Sequence, residues 1–240
     1  MRNRAPRCLG NLSNNSMKIH EQYPSLKPYK GSRFGLNAKP ALLLVGESHY
    51  LPKGSLVLRS ADKWYAGDDS MLNDGDRQFL HTAGVIETFL GEKKLNKAYT
   101  IWKNAFQVIN EFGPKYEDPK RVGEEIAFCN FFLRPAIYGG SLKGEIHPVD
   151  VEIANEALNE IIEELQPTAI IFLSVLAHSY CHKPLPVQQA IEVPHPGCRH
   201  WNRRAKKYGG RNGRERLGEF VTTLNWNGTS PTSDSALIKH

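Results

Sequence analysis

Ala41-Leu42-Leu43-Leu44-Val45-Gly46-Glu47-Ser48-His49-Tyr50 decides the fold of this chain. Ala41 to Val45 is a continuous apolar run, the pattern of a strand buried on both faces. It breaks at a glycine into a polar loop. The pattern recurs downstream. Glu125 to Phe132 is a second apolar run with Asn130 inside it, and Ala169 to Leu173 is a third. Ala190 to Val193 is the last, and it runs into Pro194-His195-Pro196-Gly197. Polar groups displayed at several strand ends point to one site at the carboxyl edge of an α/β sheet.

Helical segments separate these strands. The clearest is Val151 to Leu165, where Val151, Ala154, Leu158, Ile161, Ile162 and Leu165 form one stripe. Glu152, Glu156, Glu160, Glu163 and Glu164 read as its solvated side. Asp150 is expected to cap it and Pro167 to end it. Two earlier helices are expected over Arg77–Leu90 and Lys97–Phe112, the second stopped by Gly113-Pro114. A short helix follows Val175, and a last one spans Arg214–Leu224. Leu51 to Gly75 reads as irregular. Buried strands alternating with helices predict a three-layer α/β/α architecture around a central, mostly parallel four-stranded sheet.

The chain has 240 residues, room for one well-buried core. Residues 1–16, rich in Arg, Asn and Ser, are expected to be a disordered arm, with Met17 an alternative start. Residues 17–226 are expected to form one domain, and 227–240 a polar tail. No apolar run reaches the length of a membrane span, and no signal-peptide pattern is present, so an intracellular protein with no membrane partner is expected. A monomer is expected separately. Cys8, Cys129, Cys181 and Cys198 match no zinc spacing, so no metal and no cofactor are expected. Cys129 reads as a core thiol.

Charge is uneven. The formal net charge is +6. Between Arg199 and Arg216 lie Arg199, Arg203, Arg204, Lys206, Lys207, Arg211, Arg214 and Arg216, against Glu215 alone. The rest of the chain is close to neutral. Cations gathered beside the His195-Pro196 turn favour a polyanionic partner.

Gly46-Glu47-Ser48-His49-Tyr50, Cys129-Asn130 and His195-Pro196-Gly197, in that order on strand ends, resemble the uracil-DNA glycosylase superfamily. The likeness runs from about Lys39 to Leu224. It implies a glycosylase-like α/β fold and hydrolysis of the N-glycosidic bond of uracil or another altered base in DNA, a step of base-excision repair. Such enzymes flip the base out of the helix. His195 is implied to stabilise charge on the departing base. Asn130 is implied to read the base edge, since an amide both donates and accepts. Gly46, His49 and Tyr50 would line the base pocket, with Tyr50 at the position that excludes a thymine methyl.

The chain departs from the family's pattern. Ser48 stands where the best-known members have an Asp that orients water and stabilises the cationic sugar. Glu47 is the nearest carboxylate and can either take over that role or brace the loop. Gly197 replaces a Ser. The branch with glutamate in the first loop carries an iron–sulphur cluster, for which this chain lacks the cysteines. After the turn, Arg199, His200 and Trp201 are candidates to enter the DNA stack, and Trp201 can equally anchor the loop. Arg203, Arg204, Lys206 and Lys207 are expected on phosphates. Two alternatives stay open: a catalytically silent nucleic-acid-binding protein on the same fold, and an enzyme acting on a free nucleotide.

Overall fold

A computed structural model describes residues 19–37, 39–52, 55, 60–67, 72–92, 99–137, 141–182, 184, 185, 187 and 189–226. The arm expected over residues 1–16, Met17, Cys8, the helix start at Lys97 and the tail over 227–240 lie outside these.

All four expected strands form. β2 (Leu42–Gly46), β4 (Ile126–Asn130), β6 (Ala169–Phe172) and β7 (Gln189–Glu192) are mutually parallel, in the order β4-β2-β6-β7. The sheet is nevertheless five-stranded and mixed. β1 (Tyr29–Lys30) joins its edge, antiparallel to β4. Two residues, one buried and one exposed, are too short a stretch to show a period, so nothing in the sequence announced it. A separate parallel pair joins β3 (Tyr50–Leu51) to β5 (Ala136–Ile137).

Alternation along β2 divides the core. Leu42 and Leu44 face one side, with Phe128 and Ile171, under α4 (Thr82–Gly91), α5 (Thr100–Phe112) and α9 (Gly213–Thr222). Leu43 and Val45 face the other, with Ala127, Cys129 and Phe172, under α7 (Pro148–Leu165) and α8 (Val175–Tyr180). Both sheet faces are therefore covered by helices, and the chain is α/β. Cys129 is a core thiol, its pKa pushed up to about 12 by burial. No group of three or more His, Cys, Asp or Glu side chains that could hold a metal occurs among the described residues. Among them, too, no helix is long and apolar enough to cross a membrane.

Three expectations need correction. The helix over Arg77–Leu90 is two, α3 (Asp74–Gln78) and α4, because Phe79 to His81 leave the helical path. His81 then caps α4, its Nδ1 accepting from Gly84 N–H at 2.8 Å. Asp150 is not the cap of α7. The helix begins three residues earlier, after His147, and Asp150 accepts from His147 N–H at 2.9 Å. Its carboxylate forms a fully buried pair with Arg134, Nη2–Oδ2 2.7 Å and Nε–Oδ1 2.8 Å, and accepts from Tyr65 Oη at 3.0 Å. The Arg134 guanidinium, with these other donors, holds Asp150 below the usual carboxylate range against the cost of burial. Lastly, Leu51–Gly75 is not wholly irregular. It contains α2 (Ala61–Tyr65), capped by Ser60, whose Trp64 is buried beside Leu51 and Leu133.

Candidate active site

Parallel strands place their carboxyl ends on one edge, so Gly46, Asn130, Ser174 and His195 all emerge there. The chain runs from β2 to β4 on one side and then returns to β6 on the other. Such a reversal opens a crevice between the two strands concerned, here β2 and β6. The Gly46–Tyr50 loop starts at that point.

Backbone bonds stitch the loop to the segment after β4. Phe131 N–H donates to Gly46 C=O at 3.1 Å, Phe132 N–H to Glu47 C=O at 2.9 Å, and Ala136 N–H to His49 C=O at 2.8 Å. Side chains tie it across the crevice. The Glu47 carboxylate accepts from Ser141 Oγ at 2.6 Å and from Ser174 Oγ at 2.9 Å. Glu47 is only 8% exposed and has no Lys or Arg partner among the described residues. Its charge is therefore held by hydroxyls in a poorly solvated place, where it acts strongly on its surroundings. It raises the pKa of the half-buried Tyr50 phenol, adding to the larger effect of burial.

Asn130 and Gly46 are register partners on adjacent strands. A Cβ at residue 46 would collide with Asn130 Oδ1 and lie 2.9 Å from Phe128 Cζ. The glycine thus makes the space in which the Asn130 amide lies. The conformational freedom of glycine is not at issue, only its lack of a side chain.

His195 sits in a closed turn. Cys198 N–H donates to His195 C=O at 2.8 Å, and Gly197 N–H donates to His195 Nδ1 at 3.0 Å. An Nδ1 that accepts leaves the ring proton on Nε2. Burial lowers the His195 pKa below the ordinary histidine value, and the Glu47 carboxylate opposes this. At neutral pH the ring is an uncharged Nε2–H donor. The same Glu47 charge acts on it and on Tyr50, which ties the first loop and the His-Pro turn into one electrostatic unit. Between β4 and β7 lie three strand spacings, roughly 14 Å across the backbone.

His49 is buried and neutral, its pKa lowered to about 4 by burial. Its ring donates to the Phe79 carbonyl and bonds Thr82 Oγ1 at 3.0 Å. It is thus a strut between the loop and the start of α4, not a group displayed to a ligand. Ser48 is 4% exposed, and its hydroxyl has no partner among the described residues.

The basic segment divides. Trp201 is 2% exposed, in the core with Val193 and Leu217, so of its two readings it is the anchor. Arg204 is paired, Nε bonding Glu215 at 2.8 Å. Arg199, Arg203, Lys206 and Lys207 are exposed, and His200 is half-buried.

Sequence reasoning missed three supporting residues. Ser141 and Ser174 hold Glu47, and Asn104 on α5 donates to Pro196 C=O at 2.8 Å, pinning the turn. It also missed Phe79, 44% exposed, whose carbonyl is held by His49. Ser174 had a local signal, a serine between an apolar run and a helix. Asn104 had none, because its partner is 92 residues away. Compared with family models and with curated proteins, the chain matches none.

Proposed function

We propose that this protein is a DNA glycosylase of uracil-DNA glycosylase-like fold, hydrolysing the N-glycosidic bond of uracil or another altered base. The observation that carries the reading is His195. Its tautomer is set by the Gly197 amide and its ring is neutral, so it offers one N–H at the crevice edge. The loops also fall at the ends of the first, second and fourth parallel strands, in the order the resemblance implies.

The chemistry follows from the charges that develop. As the C1′–N bond breaks, its electron pair passes to the base and C1′ becomes cationic. The His195 Nε2–H group stabilises the negative base, and a preorganised donor of this kind contributes on the order of 10² to 10³ in rate. Asn130 pairs with the base edge from its recess over Gly46. Tyr50, kept protonated by burial and by Glu47, closes the pocket as a neutral phenol. Water attacks C1′, and as the C1′–O bond forms its proton passes to solvent while the departed base anion takes one up, giving the free base and the sugar hydroxyl. Glu47 supplies the negative charge that offsets the sugar cation, through space, because both of its oxygens are held by serine hydroxyls.

That hydroxyl cage also favours a second reading, a silent nucleic-acid-binding protein, in which Glu47 only braces the loop. Oligonucleotides carrying uracil, hypoxanthine or xanthine, incubated with the protein and then cleaved at abasic sites with alkali, separate the two. A glycosylase produces cleavage at one altered base. A silent binder retards every oligonucleotide and cleaves none.

A further inference from the structure

The cations between Arg199 and Arg216 fall into two sets. Four are paired to carboxylates: Arg204 to Glu215, Arg211 to Glu219 at 2.9 Å, Arg214 to Glu111, and Arg216 to Glu192 at 2.8 Å. Arg199, Arg203, Lys206 and Lys207 are exposed and have no carboxylate partner among the described residues. Arg199 sits on the short turn Arg199–Trp201, Lys206 and Lys207 sit on the turn Lys206–Tyr208, and Arg203 lies between the two, all just after the His195 turn.

These turns are held firmly. Trp201 anchors the first in the core, and Tyr208, 8% exposed, anchors the second. Ala205 bridges to Arg211, with Gly209 and Gly210 both at positive φ, 65° and 77°, closing the loop between them. His200 stands where the turns meet. Its ring meets the Tyr208 ring edge-on at 6.0 Å, and Lys207 Nζ lies 4.7 Å from the centre of that same ring. Arg199 Nε donates to His200 Nε2 at 3.3 Å.

We propose that Arg199, Arg203, Lys207 and His200 form a binding site for a phosphate of a nucleic-acid strand. The choice of nucleic acid as the source of that phosphate rests on the glycosylase-like reading. The hydrogen bonding of His200 supports the site. Because Nε2 accepts from Arg199, the ring proton lies on Nδ1, which is shielded and has no partner among the described residues. Protonated, Nε2–H would face Arg199 Nε–H, donor against donor. A phosphate oxygen set between them accepts from both and satisfies each.

Proton uptake follows. Without ligand, slight desolvation first, then Lys207, Arg199 and Arg203, hold His200 below the ordinary histidine value. These are the charges that face it, and Tyr208 is its ring neighbour. A phosphate reverses the sign of that field, so the pKa is higher in the complex. Affinity then rises as pH falls through the complex's pKa, and levels off below that of the free protein. Each unit of difference is worth about tenfold in affinity.

The test is fluorescence anisotropy with a labelled, unmodified single-stranded oligonucleotide and the full chain, across salt and pH. The triple variant Arg199→Ala, Arg203→Ala, Lys207→Ala should flatten the slope of log affinity against log salt by about 0.7, the loss of one phosphate contact. The control Arg204→Ala, Arg211→Ala, Arg214→Ala should leave the slope as it is. His200→Gln should abolish the gain in affinity between about pH 7 and pH 5. Equal loss of slope in both triple variants, or a wild-type pH profile in His200→Gln, overturns the site. Base release is scored separately. A wild-type slope in the first triple variant with base release intact removes the site alone. The expected slopes without base release from any altered base remove the glycosylase reading alone.

Discussion

Substituting Gly46 by alanine tests the core of the proposed site with one carbon atom. The added Cβ would meet Asn130 Oδ1, and it would sit 2.9 Å from Phe128 Cζ. Real Cβ contacts essentially never fall under 3.0 Å. Both neighbours must retreat, the Asn130 amide by roughly 1 Å to regain ordinary contact. Phe128 is packed against Trp102, ring centres 5.6 Å apart, so the accommodation has a folding cost of about 1–3 kcal/mol, the usual range for overpacking. A misplacement of about 1 Å in a positioning group lowers rate by on the order of 10²-fold. Gly46→Ala should therefore remain folded with a modestly lower Tm, bind undamaged DNA as the wild type does, and release base about a hundredfold more slowly in single turnover. Wild-type base release by a folded Gly46→Ala protein would refute the placement of Asn130 on the substrate.

Two further outcomes test how His195 is held. Glu47 raises the His195 pKa against burial, so Glu47→Gln should lower it further. The sign is fixed by charge: removing a carboxylate disfavours imidazolium. If neutral His195 is the working form, base release falls only in acid, below the ordinary histidine value, and this acid limb moves to lower pH in Glu47→Gln. An NMR titration of the His195 ring checks the shift independently of activity, and an upward shift would contradict it. Asn104→Ala removes the bond to Pro196 C=O and should slow base release about tenfold, the equivalent of a bond worth roughly 1 kcal/mol and some lost alignment. Oligonucleotide affinity, measured by anisotropy, should stay at the wild-type value, because Asn104 carries no charge.

β2, β4 and β6 were legible because each is buried on both faces and reads as an apolar run, such as Leu42 to Val45, whereas β7 is only partly buried and showed itself by Ala190, Ile191 and Val193 ahead of the His195 turn. The strand ends carrying Gly46, Asn130 and His195 followed from them. Other features depend on contacts distant in sequence. Asp150 looks like a helix cap from its position, and only the fold brings Arg134 and Tyr65 to it. Trp201 follows a basic turn and invites a role at the surface, yet the approach of Gly213, whose added Cβ would lie 2.7 Å from its Cε3, encloses it. The division of the basic segment was equally hidden. Glu111 and Glu192, which neutralise Arg214 and Arg216, come from α5 and β7. His49 reads as a site residue, and its strut role needs Thr82 and Phe79 in place.

The most direct test of the central claim compares His195→Ala with Ser48→Ala in single-turnover release of free base from the best altered-base oligonucleotide. His195→Ala should lose on the order of 10² to 10³ in rate, the usual cost of removing a donor aimed at developing charge. Ser48→Ala, which removes a neutral hydroxyl, should lose much less. A His195→Ala protein as active as the wild type would contradict the mechanism, and a wild type that frees no base from uracil-, hypoxanthine- or xanthine-bearing DNA would contradict the function.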